Sequence, residues 1–303
     1  MNWPHGCVRH AEPLSNHTSF RIGGPAEWFA EPSTTEELTQ VLQAAHARSL
    51  PVVVLGGGTN SLVADRGVRG LVLHLGKGFR DVTVLSNLSR AEARDGASST
   101  VRLRCGAAVT TQRVVSLASQ EGWGGLETLA GLPGQIGGAI AMNAQSIGRF
   151  VEEVALVSLD GQLRQLGRKD IPFAYRYAGL PSGIIVEAVL QFPRVSPEES
   201  ADPIRQALCR RNATQELSLP SAGCAFKNPP GMSAGRLIDE TGLKGTRIGD
   251  AMVSWRHANF IVNVGQATCD DVLSLMEHIQ RHVAKHTGVH LEPEVRLVGE
   301  RFR

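Results

Sequence analysis

Several features that mark common protein classes are missing from this chain of 303 residues. No block of basic residues is longer than a pair such as Arg210-Arg211, and the net charge is only +2, which gives no indication of a nucleic-acid partner. No apolar run approaches the roughly 20 residues of a membrane span. The first residues, Met-Asn-Trp-Pro-His-Gly, lack the apolar core of a signal peptide. We therefore expect a cytoplasmic monomer that binds neither nucleic acid nor membranes.

Cysteine and tyrosine are also scarce. The five cysteines are scattered and form no CxxC pair, so neither a disulfide framework nor a metal site is expected; they are Cys7, Cys105, Cys209, Cys224 and Cys269. The two tyrosines, Tyr175 and Tyr177, flank Arg176. Aromatic neighbours can hold a guanidinium in place for a carboxylate or phosphate, although the pattern by itself favours a surface strand end with one extended arginine.

Glycine, by contrast, is concentrated in residues 122–148, where eight of 27 residues are glycine. Leucine, isoleucine and methionine run through the same stretch, which distinguishes it from a flexible linker. Buried backbone this rich in glycine is typical of a chain that lies close to a charged or planar group, because glycine allows φ > 0 and leaves its N–H uncovered. A tight loop between two sheets would show the same composition.

A second glycine cluster, residues 56–61 (Gly-Gly-Gly-Thr-Asn-Ser), follows the strand-like run Pro-Val-Val-Val-Leu. These residues could bind a pyrophosphate through their amides. The cluster lacks the Gly-Lys-Ser/Thr ending of a phosphate-binding P-loop. It also lacks the last glycine of the dinucleotide fingerprint. A nucleotide-sized ligand is indicated, but neither common nucleotide fold.

The remaining pattern divides the chain into three expected domains, residues 1–75, 76–198 and 199–303, with the last boundary at a stretch rich in Pro, Glu, Ser and Asp near residues 195–203. Helices are expected from Ser33 or Thr34, over residues 110–120 and 203–211, and from Thr268 to Gly288. Residues 290–297 alternate in polarity and predict one final strand.

Taken together, these segments resemble the UDP-N-acetylenolpyruvoylglucosamine reductase family. The matching segments occur in the family's order over nearly the whole chain: residues 18–25, 55–61, 131–138 with 142–144, 173–176, 220–229, 234–238, 242–245 and 291–296. The resemblance implies an α+β fold, with a vanillyl-alcohol-oxidase-type FAD-binding domain of two subdomains and a C-terminal α+β substrate-binding domain. It also implies FAD and NADPH as cofactors and a UDP-N-acetylglucosamine-enolpyruvate substrate, which is reduced to UDP-N-acetylmuramate during peptidoglycan synthesis.

The resemblance also implies the site residues. Arg176, Cys224 and Glu294 match the catalytic positions. The family usually has serine where this chain has Cys224, and a thiol that keeps its proton at neutral pH can serve as the acid. The implied cofactor-binding residues are Arg21, Gly56, Gly57, Gly58, Thr59, Asn60, Ser61, Gly131, Pro133, Gly134, Ile136, Gly137, Gly138 and Ala139. The implied substrate-binding residues are Asn143, Tyr175, Lys227, Asn228 and Arg296.

The chain departs from the family pattern at Cys224 and in the length of the segment that precedes it, and two other functions stay open. Arg176 and Cys224 are separated by 224 − 176 = 48 positions with no tyrosine after Tyr177, so the chain resembles the short form that lacks a tyrosine-bearing lid. An oxidase of the same flavin fold is one alternative, since His17 lies near a glycine corner where flavin could be attached. A nucleotide-sugar-binding protein without catalysis is the other, favoured only by the serine-to-cysteine change.

Overall fold

The computed structural model describes residue 3, residues 6–87 and residues 99–300. The described residues form two compact units. Unit 1 comprises the residues up to Val8 with Ala30–Gly56 and Leu73–Arg211, and unit 2 comprises Arg9–Phe29, Gly57–Val72 and the residues from Asn212 onward. The three-domain division at residues 75 and 198 stays a prediction.

The helices and strands of the described residues follow one another along the chain. The α-helices are α1 (Thr35–His46), α2 (Thr111–Glu121), α3 (Ile136–Ala141), α4 (Pro197–Thr214), α5 (Ala234–Glu240) and α6 (Cys269–Thr287). The strands are β1 (Val8–Pro13), β2 (Pro25–Ala30), β3 (Val52–Val54), β4 (Ser61–Val63), β5 (Val68–Leu73), β6 (Val82–Asn87), β7 (Thr100–Gly106), β8 (Val151–Ser158), β9 (Leu163–Gly167), β10 (Gly183–Pro193), β11 (Ser221–Cys224), β12 (Arg247–Ile248), β13 (Ala251–Val253), β14 (Phe260–Asn263) and β15 (Arg296–Val298). None of the described helices is both long and apolar enough to cross a membrane.

Unit 1 is built on an antiparallel sheet with the strand order β6-β7-β10-β8-β9. Side chains of α2 and α3, such as Val114 and Ile140, are buried with those of β7, β8 and β10 in one apolar core. The helix α2 begins where the sequence predicts, because the Thr110 hydroxyl accepts a hydrogen bond from the Arg113 N–H. The glycine-rich stretch therefore lies against a packed core.

Unit 2 contains an antiparallel sheet with the strand order β11-β14-β13-β12, a parallel pair of β4 and β15, and the helix α6. The prediction for α6 is confirmed: Thr268 and Asp271 form a reciprocal capping box, and Gly288 ends the helix at φ 74°. Val272, Met276 and other residues of its apolar stripe are buried in the core of this unit. The capping pattern and the stripe are local, which explains why the sequence predicts this helix correctly.

Two sequence predictions are wrong in their bounds. The helix expected over residues 203–211 begins at Pro197, inside the stretch taken as a boundary. Ser196 and Glu199 exchange backbone-to-side-chain hydrogen bonds of 2.8 and 3.1 Å, and proline is well tolerated in the first helical turn. Composition alone suggested a linker, whereas the local capping residues start a helix.

The strand predicted over residues 290–297 is the second correction, because only Arg296–Val298 forms a strand. The buried residues here are Leu291, Val295 and Val298, a spacing that does not alternate. Proline at position 293 has no N–H to donate to a ladder, which limits the strand at this point.

Candidate active site

The glycine-rich loop of unit 1 leads into the short helix α3. Gly131 and Gly134 have φ values of 73° and 116°, a region that favours glycine. The Ile136 and Gly137 N–H groups donate to the carbonyls of Val109 and Ala107 at 2.8 and 2.9 Å, which fixes the start of the helix. Backbone hydrogen bonds thus hold the loop where it enters α3.

The adjacent glycines of α3 have different surroundings. A Cβ on Gly137, which is buried, would lie 2.8 Å from the Ala107 Cβ, so this glycine is required by packing. A Cβ on Gly138 would meet no atom within 4 Å, and the residue is exposed. Internal packing therefore does not require glycine at position 138, and the open backbone there can accept a ligand.

The second glycine cluster has one residue whose role is structural. Gly58 in unit 2 has φ 63°, and a Cβ there would fall 2.0 Å from the His17 carbonyl oxygen. The Gly58 carbonyl accepts from the Ser19 N–H at 3.2 Å. Asn60 in the same cluster donates from its side chain to the Glu294 carbonyl at 3.2 Å, and its own carbonyl accepts from the Arg296 N–H at 3.0 Å. The cluster therefore holds the C-terminal segment in unit 2.

Arg21, a further residue predicted to bind the cofactor, belongs to unit 2. It is exposed, has φ 57°, and lines an open groove of about 580 Å³ in unit 2 together with Asp65 and Asn263. The Asp65 carboxylate accepts hydrogen bonds from the Cys269 and Asp270 N–H groups at the start of α6.

Cys224 ends β11 at an irregularity in the pairing with β14. Gly223 before it has φ 76°, and a Cβ there would meet nothing within 4 Å. The thiol is partly exposed. This position leaves Cys224 at the accessible end of a strand, next to a residue whose backbone conformation favours glycine.

The residues after Cys224 are held from two directions. Asn259, which is 2% exposed, accepts from the Phe226 N–H at 3.0 Å and donates to the Phe226 carbonyl at 2.8 Å. From the C-terminal segment, the Glu294 N–H donates to the Ala225 carbonyl at 2.8 Å. The structure therefore brings two of the predicted catalytic residues, Cys224 and Glu294, to neighbouring positions within unit 2.

The predicted substrate-binding residues of unit 2 surround the same segment. Lys227 forms an exposed ion pair of 3.2 Å with Glu292, and its N–H donates to the Glu292 carbonyl. The Asn228 side chain accepts from the Ala234 N–H at the start of α5. Arg296 is exposed on β15, where it pairs with Ser61 of β4.

The predicted residues Arg176, Tyr175 and Asn143 belong to unit 1. Arg176 is the third residue of a tight turn in which Ala174 and Tyr177 exchange backbone hydrogen bonds of 2.8 and 3.2 Å. Its φ of 55° is uncommon for a residue with a side chain. The guanidinium lies 5.5 Å from the centroid of the Tyr175 ring, which is 63% exposed. One of the two flanking tyrosines, Tyr175, thus contacts the arginine.

Comparisons with known proteins show which family the chain matches. Residues 26–167 match the model of an FAD binding domain, and residues 215–298 match the C-terminal domain of UDP-N-acetylenolpyruvoylglucosamine reductase. A reductase of that name from Symbiobacterium thermophilum is 44% identical, with 97% of this chain and 93% of the relative covered. One from Geobacter metallireducens is 41% identical over 97% of this chain and 95% of its own.

The chain belongs to the UDP-N-acetylenolpyruvoylglucosamine reductase family. The crystal structure of a family member from Thermus caldophilus, 35% identical, superimposes with a TM-score of 0.77 and covers 96% of this chain and 98% of its own. These matches confirm the expected fold class and the resemblance on which it was based. They also make the chain an FAD-dependent oxidoreductase.

Among the residues predicted to hold FAD, Gly138 has surroundings that fit a bound cofactor. The exposed backbone of Gly138 leaves a space that a side chain would fill, as the close approach of a planar or phosphorylated group requires.

Asn259 was missed by the sequence interpretation, because nothing in a single sequence shows that a distant asparagine binds the backbone of Phe226.

Replacing Gly138 by alanine or valine should lower the FAD content of the purified reductase, measured as flavin absorbance per protein. With FAD removed from both proteins, the alanine variant should unfold at an equal or higher temperature than the wild type, because alanine is favoured over glycine within a helix by about 1 kcal/mol. Gly235→Ala in α5, where the new Cβ would lie 3.4 Å from His257, is the matched control and should keep its FAD. Unchanged flavin content in both Gly138 variants would contradict a role in binding FAD.

Proposed function

We propose that this chain catalyses the NADPH-dependent reduction of UDP-N-acetylglucosamine-enolpyruvate to UDP-N-acetylmuramate, a step of peptidoglycan precursor synthesis. The observation that carries the proposal is the 2.8 Å hydrogen bond between the Glu294 N–H and the Ala225 carbonyl. It holds the backbone of Glu294 against Ala225, the residue that follows the partly exposed Cys224. Family membership supports the same reaction, since the relatives carry the name of this activity.

The reduction adds a hydride and a proton across a carbon–carbon double bond, and FAD, once reduced by NADPH, would supply the hydride. Negative charge then develops beside the substrate carboxylate as an enolate, which fixed positive charge and hydrogen bonds stabilise. In the proposal, Arg176 supplies the positive charge, and Glu294 donates a hydrogen bond when its carboxyl group is protonated. The rigid turn around Arg176 supports this role, because a group that is already oriented loses little entropy during the reaction.

Cys224 is the proposed proton donor. Its S–H bond breaks as a C–H bond forms at the second carbon of the double bond, and water returns a proton to the thiolate afterwards. The position at the end of β11 supports this role, because the thiol is accessible while Phe226, two residues later, is clamped by Asn259. We also propose that Tyr175, Lys227, Asn228 and Arg296 contribute to substrate binding, and that the remaining residues assigned above to the cofactor hold FAD.

Flavin absorbance recorded in two anaerobic steps tests the proposed function. NADPH should bleach the flavin, and UDP-N-acetylglucosamine-enolpyruvate should then restore the oxidised spectrum in the absence of oxygen. Bleaching without recovery would overturn the proposed acceptor. Rapid recovery with oxygen alone would favour the oxidase, and failure to bind FAD would favour a binding protein. A parallel titration with NADH tests the proposed preference for NADPH.

The proposal also includes the oligomeric state, the location and the partners of the enzyme. We propose a monomer that is located in the cytoplasm and acts on small molecules, without nucleic-acid or membrane partners. The low net charge of +2 and the absence of long basic runs in the sequence support the statement on nucleic acid. Sedimentation of the purified protein would test the monomeric state.

A further inference from the structure

Asn143 lies at the junction between the glycine-rich loop and the arginine turn of unit 1. It directly follows Met142, the C-cap residue of α3, and its φ of 41° and ψ of 45° are left-handed. Asparagine tolerates this conformation at the C-terminal end of a helix better than most residues do. The ordinary interpretation of Asn143 is therefore a helix terminator.

The side chain of Asn143 does more than its backbone conformation requires. Its Oδ1 accepts from the Gly148 N–H at 3.0 Å, and its Nδ2 donates to the Ala174 carbonyl at 2.8 Å. The donor and acceptor partners together fix the orientation of the amide. One residue thus connects the segment that follows α3 with the segment that contains Arg176.

The carbonyl that Asn143 binds is the one that closes the arginine turn. The Ala174 oxygen accepts from the Tyr177 N–H at 3.2 Å and from the Asn143 Nδ2 at 2.8 Å. A second contact supports the connection: a Cβ on Gly148 would lie 2.5 Å from Cγ of the Phe173 ring, which shows that this ring lies against the glycine backbone. Arg176 stays at φ 55° in this turn, so the surrounding contacts stabilise an uncommon backbone conformation.

We propose that Asn143 is a positioning residue for Arg176, through its hydrogen bond to the Ala174 carbonyl. This inference rests on the proposed function, in which Arg176 stabilises the enolate. It revises the role expected for Asn143 from the sequence, since both polar groups of the side chain bind backbone within unit 1. Loss of the amide releases the turn, and the guanidinium then spends less time in its reactive orientation.

Variants of Asn143 test the inference. Asn143→Gly keeps the left-handed backbone and removes the side chain, while Asn143→Asp keeps the acceptor for Gly148 and removes the donor to Ala174. Both should slow reoxidation of the flavin by the enolpyruvyl sugar by about 10- to 100-fold. FAD content and the rate of flavin reduction by NADPH should stay at the wild-type values. Gln145→Gly, at an exposed left-handed position two residues later, is the matched control and should leave both rates unchanged.

A double-mutant cycle distinguishes positioning from direct substrate contact. If Asn143 acts through Arg176, Asn143→Gly should have almost no further effect in an Arg176→Ala enzyme. Additive effects, or a full reoxidation rate in both Asn143 variants, would overturn the inference. Failure of the proposed function would show itself differently, since the wild-type flavin would then not be reoxidised by the sugar at all.

Discussion

Replacing Cys224 by alanine should stop the sugar half of the reaction and leave the reduction of flavin by NADPH intact. The variant lacks the proposed proton donor, and general acid catalysis contributes about 100- to 10,000-fold to such steps. Stopped-flow absorbance measures both halves separately in one enzyme. Because the Cys224 side chain is partly exposed, we expect the alanine variant to fold and retain FAD.

Cys224→Ser is the informative companion of the alanine variant. A serine hydroxyl can donate a proton from the same position, and the family usually has serine there, so substantial turnover should remain. Cys209→Ala removes an exposed cysteine from α4 and should not change either half-reaction. Full turnover in Cys224→Ala would show that another group delivers the proton.

Alkylation with iodoacetamide offers an independent measurement on the same residue. In a Cys209→Ala background, inactivation should follow the modification of Cys224, and the UDP-sugar should protect against it. Burial raises the pKa of the Cys105 thiol to about 12, which keeps this thiol protonated and unreactive. The pKa of Cys7 is also raised, chiefly by burial. Mass spectrometry of the modified protein identifies the cysteine that reacts.

Replacing Arg176 by alanine is expected to have the second large effect. Removal of a group that stabilises developing charge costs about 100- to 1,000-fold in rate, so reoxidation of the flavin by the sugar should fall by this factor. Flavin reduction by NADPH should be unaffected. Arg164→Ala removes the same charge from an exposed position on β9 and should be without effect. A normal rate of flavin reoxidation in Arg176→Ala would show that Arg176 does not stabilise the enolate.

The backbone of Arg176 adds a prediction on stability to the same experiment. At φ 55°, glycine is better tolerated than alanine, because the Cβ of an L-residue approaches its own carbonyl in the left-handed region. Arg176→Gly should therefore be more stable than Arg176→Ala by about 1 kcal/mol in denaturant unfolding, with the same loss of activity. Equal stabilities would show that the turn changes conformation when the arginine is removed.

Features that depend on local pattern could be predicted from the sequence. The start of α6 at Thr268 and its end at Gly288 follow from capping residues and an apolar stripe in one stretch of chain. The start of α4 at Pro197 carried the same kind of signal in Ser196 and Glu199, but the Pro- and Glu-rich composition was interpreted as a boundary. The prediction of a strand over residues 290–297 was wrong in its bounds, because strand pairing depends on partners far away in the sequence, such as Ala225.

In the candidate site, too, local motifs and long-range contacts have to be distinguished. Its residues could be proposed from motifs, because the family resemblance matches Arg176, Cys224 and Glu294 to the catalytic positions. Their roles stay predictions. Their supports could not be found, since Asn259 binds Phe226 at a sequence separation of 33. Asn143 and Ala174 are separated by 31 residues. A hydrogen bond between such positions leaves no signal in one sequence.

By itself, the sequence determined the family, the fold class, the nature of the flavin enzyme and the change from serine to Cys224. Only the tertiary structure separated Gly137, which packing requires, from Gly138, which is open, although the two residues are chemically identical. It also determined that Arg176 adopts a left-handed backbone in a turn closed by the Ala174 carbonyl. The physical reason is that a motif records which groups are present, whereas their orientation depends on contacts between residues far apart in the chain.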